Sequence, residues 1–232
     1  MSKTKLHGQN YVLKDGKRAA SVTTIINNQL GWNKNTLIAW AKRVTAQGED
    51  ADAVMREAGH IGTLTHILIQ GYLQGFDVDT RDYTPNQEEQ ALKAFFGFKK
   101  WYDKANFKVL AAELALVNEE LRVGGTVDCI GKIDGDLVVV DWKPSKGGPY
   151  PEMMIQLGAY TMMYEAAQPK ANVKYGIICA LVRKMESFIN MSLIATSWMR
   201  VRRRFVICVR CIIYAGSFEE CIGCLLSNNS QW

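Results

Sequence analysis

The sequence predicts an α/β (α+β) fold, a central mixed β-sheet flanked by helices. Three observations carry this expectation. Helical periodicity dominates residues 35–104, three strand-like stretches then follow one another, and a helix and a further strand close the series. With 232 residues, 48% of them hydrophobic, the chain can bury one core of ordinary size.

"YVLKDGKRAASVTTII" (11–26) reads as a short hairpin leading into a strand or a helix start. Helical patterns cover 35–47, 50–74 and 86–104, with Asn33 or Asn35 as N-cap of the first and Asp50 of the second. "KVLAAELALV" (108–117), "GGTVDCIGKI" (124–133) and "LVVVDWK" (137–143) are strands. "PEMMIQLGAYTMMYEAA" (151–167) is a helix with Pro151 near its first turn, and "VKYGIICALVR" (173–183) is a last strand.

Bulk properties narrow the function classes. The net charge of +5 hints at anionic partners, and five arginines against Glu219 and Glu220 put +3 of it after residue 190. No apolar run reaches the ~18 residues of a membrane span. "MSKTKLHGQN" lacks the hydrophobic segment of a signal peptide, so a cytoplasmic location is expected. Cys129 and Cys179 lie in apolar strands and read as reduced core residues.

The informative stretch is "IDGDLVVVDWKPSKG". Asp134-Gly135 between two strands is a strong hairpin signal, and a two-residue loop there pairs Ile133 with Asp136. Carried along the strands, that register sets Asp128 opposite Asp141. A shift of two sets Asp128 opposite Lys143 instead; all three share one face either way. Thr126, Ile130, Leu137 and Val139 lie on that face, and Val127, Cys129, Ile133, Val138, Val140 and Trp142 on the other. Both faces are largely apolar, so helices should cover both. Facing carboxylates repel and resist burial, and a divalent cation between them removes both costs; oxygen ligands suit Mg²⁺ or Mn²⁺. Lys143 beside such an ion can orient water or offset charge on a phosphate. Pro144 keeps Lys143 extended. The competing reading is a structural Asp–Lys pair at a strand end.

The series "GGTVD", "VVVDWKPSKG" and "QLGAY" resembles the PD-(D/E)XK nucleases, and within them the RecB-like branch of phage exonucleases and mitochondrial genome maintenance exonucleases. "SVTTIINNQLGWNKNTLIAWA" and "AGHIGTLTH" resemble the same branch, so the likeness runs from about Ser21 to Arg183. It implies a restriction-endonuclease-like core over residues 1–189 with a helical N-terminal part, and a Mg²⁺- or Mn²⁺-dependent DNA exonuclease acting on single strands or duplex ends. It further implies that Asp128 and Asp141 bind metal with His66 and the Trp142 backbone carbonyl, that Lys143 is the catalytic lysine, and that Gln156 and Tyr160 form the supporting Q-x-x-x-Y element. Pro144 departs from the usual threonine of the family.

Most of the other residues carry more than one reading. Glu113, the one charge in the apolar part of its strand, binds substrate or a second metal through water, or pairs with a buried base. Lys146 meets a phosphate or is a solvated loop lysine. The "FFGFKKWY" aromatics stack bases or fill the core. His60 reads as structural.

Residues 190–232 form an atypical basic, cysteine-containing tail. Cys208, Cys211, Cys221 and Cys224 have the spacing of a zinc or iron–sulfur site. Apolar β-branched neighbours argue against it. Back-translation of Ser197–Cys211 in a shifted frame gives an amphipathic helix, so a reading-frame shift is the rival explanation. Beside the exonuclease stand two alternatives: a non-catalytic nucleic-acid-binding module with a zinc-binding tail, and an endonuclease of the same chemistry.

Overall fold

A computed structural model describes residues 10–29, 34–144 and 151–181, together with the backbone of 191–194. The N-terminal hairpin turns at Gly16 (φ 79°), bridges Val12 to Arg18 and leads through β1 (Ala20–Ser21) into α1 (Val22–Gln29). Ser21 caps α1, its hydroxyl accepting from the Thr24 amide at 3.1 Å. α2 (Lys34–Ala46) buries only Val44. α3 (Ala51–Gln74) is capped by Asp50, as expected, and ends on Gly75 in the left-handed conformation. α4 (Pro85–Tyr102) begins with a capping box that was not anticipated: Thr84 accepts from the Gln87 amide while the Gln87 side chain accepts from the Thr84 amide.

β2 (Phe107–Asn118), β3 (Val123–Ile133) and β4 (Asp136–Lys143) then run antiparallel, α5 (Pro151–Ala167) crosses over, and β5 (Tyr175–Ala180) lies parallel to β4. β6 (Met191–Ile194) adds antiparallel to β5, so the first residues of the expected tail extend the sheet. The result is a six-stranded mixed sheet. Asp134 and Gly135 both have positive φ, the pattern of a type I′ turn. The hairpin register is the expected one from Ile133–Asp136 through Cys129–Val140.

β3 organises the sheet. β2 pairs along one edge of it; the other edge is shared by β1, at Val123–Gly124, and β4, at Cys129–Ile133. Among the described residues no strand pairs with positions 125–128 on that shared edge. The sheet therefore has a notch.

Helices cover both faces, as the apolar strands required. Val139, Ile130 and Ile178 pack with α1 and α5, whereas Cys129, Val138, Val140 and Trp142 pack with Phe98 and Trp101 of α4 and Ile69 of α3. Val127 is a correction: it belongs with the α1–α5 cluster. With no strand beside β3 at this point, α1 packs on the open edge and meets residues of either parity. Cys129 and Cys179 are free and buried, and burial pushes both thiols up, Cys179 to about 12.

The two glycines that open β3 make room for aromatic rings. A Cβ on Gly124 would stand 2.2 Å from Tyr11, and one on Gly125 would stand 2.6 Å from the Tyr160 ring. Gly124→Ala should therefore destabilise the chain by about 1–3 kcal/mol through overpacking. Gly59→Ala, on an open face of α3, should stabilise it by roughly 0.5–1 kcal/mol. Thermal melts of the two variants should move in opposite directions.

Candidate active site

The notch in the sheet is where the charged residues gather. β4 delivers Asp141 and Lys143 to the α1–α5 face. Asp141 is only 1% exposed, and the Lys143 ammonium lies 2.8 Å from its Oδ2 and 3.1 Å from its Oδ1. Lys143 also donates to Gln156 Oε1 at 3.2 Å, and Gln156 Nε2 donates to the Tyr160 hydroxyl at 3.0 Å. Gln156 and Tyr160 are one turn apart on α5, so a single helical face holds the lysine.

Asp128 stands differently from the expected cross-strand pair. The ladder stops at Cys129–Val140, one pair short of Asp128 and Asp141. The Trp142 amide turns instead to the Asp128 carboxylate and donates to Oδ2 at 2.8 Å. The two acids still share a neighbourhood, since the Asp128 charge helps to hold the Asp141 proton.

Glu113 reaches Asp128 through a β-bulge. Val109 pairs with Gly131, but Ala111 pairs with Ile130, so β2 carries one extra residue at Leu110. Glu113 then falls between the Ala112–Cys129 and Leu114–Val127 pairs, opposite Asp128. Without the bulge it would have faced Val127. Its backbone has φ 51°, a conformation that costs a non-glycine residue on the order of 1–3 kcal/mol and clusters at functional sites. His66 comes from α3, with Nδ1 at 3.7 Å from Asp128 Oδ2 and 3.8 Å from Glu113 Oε1.

His66, Glu113 and Asp128 each offer a ligand atom within 4.8 Å of the others'. Glu113 Oε2 is buried and has no hydrogen-bond partner. One imidazole nitrogen and carboxylate oxygens, with a buried oxygen unsatisfied, fit a small divalent cation. Of the residues expected at the metal, His66 and Asp128 are in this group. Glu113 takes the third place, and Asp141 stands beside it in the grip of Lys143. Lys146 and Cys208, Cys211, Cys221 and Cys224 lie outside the described residues.

Electrostatics follow from burial. Asp141 is pushed up to about 6 by burial, against the pull of Lys143. Burial raises Asp128 as well, opposed by His66 and Lys143. For Lys143 burial acts downward, but Asp141 and Asp128 outweigh it and its ammonium persists. His66 behaves alike: burial favours the neutral ring, and Asp128 and Glu113 carry it above its ordinary value.

A cavity of about 720 Å³ opens onto this cluster. His66, Asp128, Lys143, Gln156 and Tyr160 line it together with Tyr11, Arg18, Ser21 and Thr24 of the N-terminal segment. Tyr11 is fixed there by its hydroxyl bond to Thr126 (3.0 Å). This N-terminal part of the lining, with the start of α1, is not marked as a site in the sequence. "SVTT" was the available signal, a serine followed by the start of an apolar helix.

Two buried acids and the half-buried Glu113 around one lysine and one histidine strain the metal-free chain. Glu113→Gln removes one charge at constant volume. It should raise the melting temperature in EDTA by roughly 2–4 °C, as ~1 kcal/mol does in a chain of this size, and reduce the further rise on adding Mn²⁺.

The model of the PD-(D/E)XK nuclease superfamily matches residues 36–205. No curated protein matches the chain. The matched stretch runs from α2 through β6, well over half the chain, and includes His66, Glu113, Asp128, Asp141 and Lys143. The chain belongs to the PD-(D/E)XK nuclease superfamily, whose members are metal-dependent nucleases.

Proposed function

We propose that the chain is a Mg²⁺- or Mn²⁺-dependent deoxyribonuclease of the RecB-like branch. It acts as an exonuclease on single strands or duplex ends during replication, recombination or repair, in the cytoplasm of a bacterial or phage-infected cell. The observation that carries the reading is the meeting of the His66–Glu113–Asp128 group with the Asp141–Lys143 pair at one cavity. His66, Glu113, Asp128 and Asp141, with the Trp142 carbonyl, would hold the ion. When bound, the ion supplies an acidified water and positive charge for the phosphate oxygens.

The chain's own residues do the rest. Lys143 enters the cavity protonated and holds the attacking water or a non-bridging phosphate oxygen. Gln156 restrains the lysine ammonium through its side-chain carbonyl, and Tyr160 fixes the orientation of Gln156. The capped N-terminal end of α1, with Arg18 nearby, receives a phosphate in the same cavity. The half-buried site excludes bulk water, which strengthens each of these contacts.

Asp141→Asn and Lys143→Ala should each lower cleavage at least about a hundredfold, the scale for losing one electrostatic stabiliser, while leaving strand binding in EDTA within a few-fold of the parent. Cleavage of labelled DNA in Mg²⁺ and in EDTA measures both; variants that cut like the parent would remove the catalytic assignment.

An exonuclease should degrade linear DNA and leave a covalently closed single-stranded circle intact. Digestion of the circle at a comparable rate would assign the same chemistry to an endonuclease.

A further inference from the structure

Two large rings stand in the open on a face that the cleavage chemistry does not use. Phe96 on α4 is 57% exposed and Tyr72 on α3 is 41% exposed. Phe95 joins them, its ring centroid 5.9 Å from Tyr72 and 6.0 Å from Phe96. The neighbouring rings of the same helix are core: Phe98 and Trp101 are buried, with centroids 5.1 Å and 5.3 Å from Trp142. The core reading of the "FFGFKKWY" run therefore holds for Phe98 and Trp101, and Phe96 stays exposed.

Cations surround the exposed rings. Lys99 stands over Tyr72 with Nζ 4.5 Å from the ring centroid, and donates to the tyrosine hydroxyl at 3.2 Å. Lys100 is exposed and one turn from Phe96, hence on the same helical face. Lys104 follows, also exposed, and Asp103 is the one acid between Lys93 and Lys108. Lys93 is paired with Glu89 at 2.6 Å.

None of these residues lines the catalytic cavity. Tyr72 lies six residues beyond His66 on α3, about 9 Å along the helix axis. Flat apolar faces alternating with lysines are what a single strand requires, because every base has a π-face and every link a negative charge. A second copy of the chain would bring its own lysines against these, so like charges disfavour that occupant.

We infer that Tyr72, Phe96, Lys99 and Lys100 form an accessory surface that holds single-stranded nucleic acid outside the cavity, with a base against Phe96 and phosphates against the lysines. The inference rests on the proposed nuclease reading for the class of its partner. Its role is retention of the strand beyond the nucleotides undergoing cleavage.

The test uses the full chain and a fluorescent oligothymidylate in EDTA, where binding is read without cleavage. Phe96→Ala should weaken binding about tenfold, the scale of one lost stack. Lys100→Gln should make the salt dependence shallower by roughly 0.7 in the log–log slope, one phosphate contact on a single strand. With Mg²⁺, both variants should raise KM on long strands at unchanged kcat, and match the parent on a dinucleotide too short to reach the patch. Unchanged affinity and salt slope in both variants would overturn the inference. So would a change in sedimentation without a change in affinity, which marks a protein contact. A parent that cleaves DNA yet holds no oligothymidylate also overturns it, and leaves the nuclease reading standing. A parent that does neither sinks both.

Discussion

The arrangement depends on how an interior built from valine and isoleucine tolerates three carboxylates. Glu113, Asp128 and Asp141 enter from three adjacent strands, and each is compensated by a different device. Asp141 has the Lys143 ammonium, Asp128 has the Trp142 amide, and Glu113 keeps one buried oxygen with no protein donor. Desolvation of an unpaired carboxylate is expensive, so that last oxygen is the place where the protein alone is incomplete. The fold spends stability at this point and recovers it from apolar clusters on both faces of the sheet.

Backbone geometry makes the devices possible. Stopping the β3–β4 ladder one pair early frees the Trp142 amide to bind a carboxylate rather than a carbonyl. The extra residue at Leu110 turns Glu113 toward Asp128 at the cost of a left-handed backbone. Regular pairing throughout would have given a better sheet and a poorer site.

Much of this was legible in the residues, and the limits have physical reasons. Asp134-Gly135 defined the turn type, and the turn type defined the register, so the shared face of Asp128, Asp141 and Lys143 could be counted. Asp50 announced its helix because a capping side chain must precede the first turn. The bulge could not be read, because "KVLAAELALV" is apolar on both faces and nothing marks where the alternation slips. The early end of the ladder is equally invisible, being set by α1 and β1, which are remote in sequence. His66 was found through family likeness alone: a histidine in a helix has no local mark of its target. Glu113 stood out as a charge among apolar residues, but three roles fitted it until the bulge was seen.

The shared edge of β3 bears on how such a chain can diversify. The stretch that matches the superfamily starts at residue 36, so Tyr11, Arg18 and the cap of α1 lie outside it, although they form half of the cavity. The charged cluster and the rest of the cavity lining are thus encoded in separate segments, held together by β1 against Val123 and Gly124, by α1 packed in the α5 cluster and by the Tyr11–Thr126 bond. Substitution in the first segment can therefore reshape the cavity while leaving the charged cluster untouched.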